Sequence, residues 1–214
     1  MSRTMIMTTG PDIWTEIHRG NFEGVVRLLD GGADPNELGG YPRFCPPLEL
    51  AVYYGNNEMV NLLLENGADV EKRNYNGETP IHVSVFREIS DMLLDFGADI
   101  ESKDNRERSV LYKKAQLGPA NKLQYLIAKG ADVNTICTVD GSTPLLATVG
   151  IIPGFGGDPE KVRILLDSGA NLFLRNHRGD SAESLAYNLQ HGAIFEQLRE
   201  ERERIQQICS FNRG

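Results

Sequence analysis

The groups in this 214-residue chain whose types could do chemistry are four histidines, three cysteines and one glycine-rich loop. A histidine becomes a general base or a metal ligand when a nucleophile, a carboxylate or a second ligand stands at a suitable offset. His18, His82, His177 and His191 lack such companions: no His-Glu-x-x-His or paired-carboxylate motif occurs, and no Cys–His pair suggests an activated thiol. Cys45, Cys137 and Cys209 are far apart and odd in number. That is neither a disulfide framework nor a zinc pattern, and it suits a reducing, cytoplasmic compartment. Gly154, Gly156 and Gly157 precede Asp158-Pro159-Glu160, a strong helix start. Such a loop can cradle a phosphate, but no strand leads into it and the Lys-Ser/Thr of a nucleotide loop is absent. Nucleotide or small-ligand binding at Gly154–Gly157 is therefore the least favoured reading. No catalytic residue, cofactor or metal is expected.

The elements that carry these residues repeat. Leu-Leu-x-x-Gly-Ala-Asp, or a close variant, ends at Asp34, Asp69, Asp99, Asp132 and Asn171. Its glycines stand at 32, 67, 97, 130 and 169, spaced by 35, 30, 33 and 39 residues. A second string precedes the blocks: Gly77-Glu78-Thr79-Pro80-Ile81-His82 and Gly141-Ser142-Thr143-Pro144-Leu145-Leu146, with weaker forms near Pro46, Ser109 and Ser181. Thr-Pro starts a helix, because Thr caps free N–H groups and Pro suits the first helical position. Gly after Leu-Leu ends one, because it takes the left-handed conformation. Each unit therefore reads helix, turn, helix, then a projecting hairpin-like loop with signals such as Asn76-Gly77.

On these two strings the chain resembles the ankyrin-repeat proteins, over about Asp12 to Cys209. The resemblance implies an all-α solenoid of about six helix–turn–helix units, the first and last acting as caps. The expected units are 12–40, 41–73, 74–103, 104–137, 138–175 and 176–209, between tails at 1–11 and 210–214. Trp14 and Ile17 belong to the expected N-terminal cap. In the C-terminal helix, about Ala193 to Ile208, the Glu and Arg residues are read as a solvated face with internal ion pairs. The family pattern gives His82 a structural, hydrogen-bonding role, and places partner contacts on a concave face built from hairpin tips and first helices.

Four departures from the repeat are candidates for function. The 35–46 hairpin carries Arg43, and the next helix carries Tyr53 and Tyr54; Tyr and Arg are enriched in binding hot spots. Three residues are missing from the third unit around Phe86, which calls for a tighter turn or a shorter first helix; Tyr75 and Phe86 still face the groove by register. The fourth unit has Lys113 and Lys114 where apolar residues are usual. They are expected either to reach outward from a distorted helix or to meet acidic partners. With Arg106 and Arg108 they form a local basic patch. The fifth unit carries five extra residues, exposing Phe155 as a contact.

Composition fits a globular chain, 40% hydrophobic and 24% charged, with a net charge of −8. That sign argues against nucleic acid and anionic membrane as partners. No apolar stretch approaches a membrane span, and with one Arg and no apolar run in residues 1–10 no secretory signal is expected. The sequence is thus expected to be a non-enzymatic protein-binding module, monomeric when free. Its partner contacts are Arg43, Tyr53, Tyr54, Tyr75, Phe86, Arg106, Arg108, Lys113, Lys114 and Phe155, with an acidic segment as the partner chemistry. An inhibitor or immunity-type protein masking an enzyme or toxin, or a host-directed bacterial or viral effector, is the alternative role.

Overall fold

The computed structural model describes residues 12–39, 45–150 and 157–211. Among these residues there are twelve helices and no strand beyond two isolated bridges, Lys103–Ser109 and Arg175–Ser181. The chain divides into two compact units, Met1–Asp99 and Ile100–Gly214.

The first unit holds α1 (Ile13–His18), α2 (Phe22–Asp30), α3 (Pro47–Tyr54), α4 (Asn57–Glu65), α5 (Pro80–Val83) and α6 (Arg87–Asp95). Its helices are too short to stand alone, so caps and packing must hold them. Asp12 Oδ1 accepts from the Thr15 N–H at 2.6 Å, and Asn21 and Asn56 cap α2 and α4 the same way. Leu48, Met59, Leu63, Ile81, Ile89 and Leu93 are fully buried between the pairs. The three-residue deletion is absorbed by the first helix: α5 is only four residues, against eight for α3. Ser84 Oγ and Ser90 Oγ, 2.7 Å apart, bridge the abrupt turn that follows. His82 Nδ1 meets the Thr79 hydroxyl at 2.9 Å and the Thr79 N–H at 3.2 Å, closing the cap of α5.

The second unit holds α7 (Val110–Leu117), α8 (Ala120–Ala128), α9 (Pro144–Gly150), α10 (Pro159–Asp167), α11 (Ala182–Asn188) and α12 (Gly192–Phe211). Leu111, Leu123, Leu126, Leu145, Leu146 and Leu165 are its buried centre. In α12 only Ile194 and Leu198 are buried. Arg199 pairs with Glu196 and Glu203 at 3.3 Å, and Arg204 with Glu201 at 2.7 Å, the solvated face read from the sequence. The helix runs on through Ser210 and Phe211, two residues expected in the tail.

All five Gly-Ala blocks close in one way. Gly32, Gly67, Gly97, Gly130 and Gly169 sit at φ between 83° and 96°. The following Ala N–H reaches back to the first Leu carbonyl of its block, as Ala68 does to Leu63 at 2.9 Å. This is the Schellman closure that Leu-Leu-x-x-Gly-Ala encodes.

One feature of the loops is absent from the sequence reading. Asn36 donates to the Gly67 carbonyl at 3.0 Å and accepts from the Asp69 N–H at 2.7 Å. Asn134 does the same to Gly169 and Asn171, at 3.1 and 2.7 Å. Glu71 accepts from the Asp99 N–H and Glu101 from the Asp132 N–H, at 2.9 and 2.7 Å. One polar side chain per loop thus holds the helix exit of the next repeat.

Candidate functional site

In the first unit α1 and α3 bring four rings into a row. Trp14 and His18, four residues apart on one helix face, stack with centroids 5.6 Å apart and planes 9° from parallel. His18 Nδ1 lies 2.6 Å from the Tyr54 hydroxyl, which joins the two helices. Tyr53 meets Tyr54 edge to face at 5.6 Å. A fifth ring adjoins the row through Gly55, which ends α3 at φ 70°. A Cβ there would come within 2.4 Å of Phe86 Cε2, so the Phe86 ring lies directly on this backbone. Trp14 Nε1 donates to Cys45 Sγ at 3.1 Å, anchoring one end.

These rings are not core. Tyr53 is 59% exposed, and Tyr54 and Phe86 are each 45% exposed. His18 is exposed and Trp14 half-buried. The unit around them is acidic. Residues 1–99 carry 16 Asp and Glu against 7 Lys and Arg, a net charge of −9; residues 100–214 carry 14 against 15, a net +1. The chain's negative charge therefore belongs entirely to the unit that bears the ring row.

The residues singled out in the sequence fall into three groups. Tyr53, Tyr54 and Phe86 come together in the first unit, and Tyr75, in a turn of the same unit, is 84% exposed. Arg43 and Phe155 lie outside the described residues, as do Gly154 and Gly156. The basic residues of the second unit divide. Arg106 is exposed, but Arg108 is committed to Asp104, donating at 2.8 and 2.5 Å. Burial tends to raise the Asp104 pKa, yet the Arg108 guanidinium and the Arg108 and Arg106 N–H groups hold it below the usual carboxylate range.

Lys113 and Lys114 were expected to leave a distorted helix or to meet acidic groups. Instead α7 is regular from Val110 to Leu117, and Lys114 is buried inside it. Among the described residues no carboxylate pairs with the Lys114 ammonium, so it is withdrawn from any contact surface. Burial first, then repulsion from Lys122 and Lys113, push its pKa down to about 7. Lys113 is half-buried. Two more lysines are buried nearby. Lys161 donates to the Ala115 and Gly118 carbonyls at 2.8 and 3.2 Å, where a cation suits a helix C-terminus. Lys122 Nζ sits 4.7 Å from the Tyr125 ring centroid.

Trp14, which the sequence assigns to the N-terminal cap, and His18 are not among the contact residues expected from the sequence. Their spacing of four residues was the available signal. It shows that the two rings share a helix face, but not that Tyr54, 36 residues further on, completes the row.

Paired short helices closed by Gly-Ala turns define a helical repeat fold. Residues 15–104 match the family model for ankyrin repeats, in three copies. The chain is 36% identical to an ankyrin repeat-containing protein of Schizosaccharomyces pombe, over 46% of this chain and 47% of that one. It is 33% identical to an ankyrin repeat-containing protein of Treponema pallidum, over 69% of this chain and 49% of that one. A Danio rerio protein bearing the name of a palmitoyltransferase is 28% identical over 86% of this chain and 28% of its own length. The chain belongs to the ankyrin-repeat proteins. It spans about half the length of the first two relatives.

Proposed function

We propose that this chain is a non-enzymatic docking module that holds a partner protein on the ring row of its first unit. Ankyrin repeats generally mediate protein–protein interaction, and no group of three or more His, Cys, Asp and Glu side chains that could hold a metal ion occurs among the described residues. The observation that carries the reading is the exposure of Tyr53, Tyr54 and Phe86 around one glycine. Tyrosine is among the residue types that dominate binding energy when centrally placed in an interface. The rings are fixed by stacking and by the His18–Tyr54 hydrogen bond, so little side-chain freedom is lost on binding.

The acidic-segment reading of the second unit keeps Arg106 and Lys113 as its contacts. It loses Lys114 to burial and Arg108 to Asp104. An inhibitor, an adaptor and a host-directed effector would share the docking step, and rescue of cells from a partner's toxicity separates the first from the others. No described helix is long and apolar enough to cross a membrane.

The test is affinity capture with the wild-type chain, a Tyr53→Ala, Tyr54→Ala variant and a Lys113→Glu variant. The expected result is one specific partner, lost with the tyrosine variant and kept with the lysine variant. Two hot-spot residues removed together cost about 2–4 kcal/mol of binding. A partner kept by the tyrosine variant overturns the placement.

A further inference from the structure

We propose that the ring row of the first unit, from Trp14 and His18 through Tyr54 and Tyr53 to Phe86, is an acceptor for arginine side chains in a basic segment of the partner. The inference rests on the docking reading above and reverses the partner charge drawn from the second unit's lysines.

Three observations converge on it. The rings meet in stacked and edge-to-face geometries while Tyr53, Tyr54 and Phe86 keep about half of their surface open. An aromatic face carries negative quadrupole density and attracts a cation placed over it. The unit bearing the rings has a net charge of −9, whereas the rest of the chain is close to neutral. A cationic segment is therefore drawn to this half of the molecule, and an acidic one is repelled. The row also mixes ring surface with polar edges: the His18 ring and the Tyr54 hydroxyl meet within it. That combination suits a guanidinium, which is planar, weakly hydrated, able to stack on a ring and able to donate from its rim. An ammonium is a compact, strongly hydrated charge and gains less from a flat aromatic surface.

The chain reports on this site by itself. Trp14 is its single tryptophan and is a member of the row. The full chain would be titrated to millimolar concentration with four short peptides of one Gly-Ser framework. They carry arginine, lysine, glutamate, or citrulline, the uncharged shape of arginine, at two positions. Trp14 fluorescence and amide chemical shifts of Tyr53, Tyr54 and Phe86 follow binding. The arginine peptide should bind about tenfold tighter than the lysine peptide, and the citrulline and glutamate peptides should fail to saturate. Tyr53→Phe, Tyr54→Phe keeps the quadrupoles and should retain arginine affinity within about threefold. Tyr53→Leu, Tyr54→Leu keeps apolar bulk without them and should lose about tenfold. Circular dichroism checks that both variants fold; if the leucine pair does not, Phe86→Leu takes its place.

Citrulline binding as well as arginine, glutamate binding better, or undiminished arginine binding to the leucine variant each overturns the proposal. So does absence of arginine binding. In any of these cases the docking reading survives if the captured partner is still lost with Tyr53→Ala, Tyr54→Ala, and falls if it is kept.

Discussion

Lys114 shows how one side chain can set the chain's response to pH. Its ammonium is buried near two other lysine charges, which lowers its pKa from 10.5 to about 7. Between those values the unfolded chain holds a proton that the folded chain does not. Stability therefore falls as pH drops from about 10.5 towards 7, and the penalty is constant below that. Lys114→Met fills similar volume without the charge. It should stabilise the fold by about 1–4 kcal/mol at pH 7, as replacing buried charges with apolar groups does. The gain should shrink steadily above pH 7 and vanish above pH 11, read from urea midpoints across that range. A gain independent of pH would mean that packing, not charge, is responsible. Gly55 is a second single-residue control point, since it combines a positive φ with the close approach of Phe86. Gly55→Ala should cost about 2–3 kcal/mol in urea denaturation, part from the left-handed backbone and part from displacing the ring. In the Phe86→Ala background the same change should cost only about 1 kcal/mol, the backbone share.

Among elements, the division between what was legible and what was not follows the range of the forces. Gly-Ala closures and Thr-Pro starts act within six residues, so the helix pairs and their order could be read directly. The short α5 was legible as a deletion, because the distance from Thr79 to Gly97 fixes how much helix can fit. The ring row was legible only in its parts. Tyr53, Tyr54 and Phe86 are salient by type, but Trp14 and His18 join them only once α1 lies against α3. Lys114 was legible as standing where an apolar residue is usual, but not that it would be buried in a regular helix without a carboxylate beside it, because the string does not say which side chains surround the position. The loop clamps were equally hidden, since Asn36 and Asn134 look like ordinary turn residues. Each makes two hydrogen bonds to the helix exit of the following repeat. Asn36→Ala or Asn134→Ala should destabilise by about 1–2 kcal/mol. Asn→Asp keeps the acceptor and loses the donor, so its loss should be smaller than that of alanine. Chemical denaturation of the four single variants measures both.

At the scale of the whole molecule, the uneven charge decides how a partner arrives. A net −8 spread evenly would favour any basic protein weakly. Here the first unit carries −9 and the second +1, so the field is concentrated on the half that bears the exposed rings. Such fields act mainly on encounter, while short-range stacking governs how long a complex lasts. The association rate with a basic partner should therefore fall about tenfold or more between roughly 20 and 200 mM salt, with the dissociation rate nearly unchanged. Glu58, Glu65 and Glu88 are exposed in the first unit, and none of them is a member of the ring row. Converting all three to Gln removes a third of that unit's net charge without touching a ring. The triple variant should associate more slowly at low salt, show a shallower salt dependence, and dissociate at the wild-type rate. Stopped-flow Trp14 fluorescence gives both rates. A salt-insensitive association rate would mean that the acidic surface plays no part in capture, and the rings would then have to select their partner by shape and stacking alone.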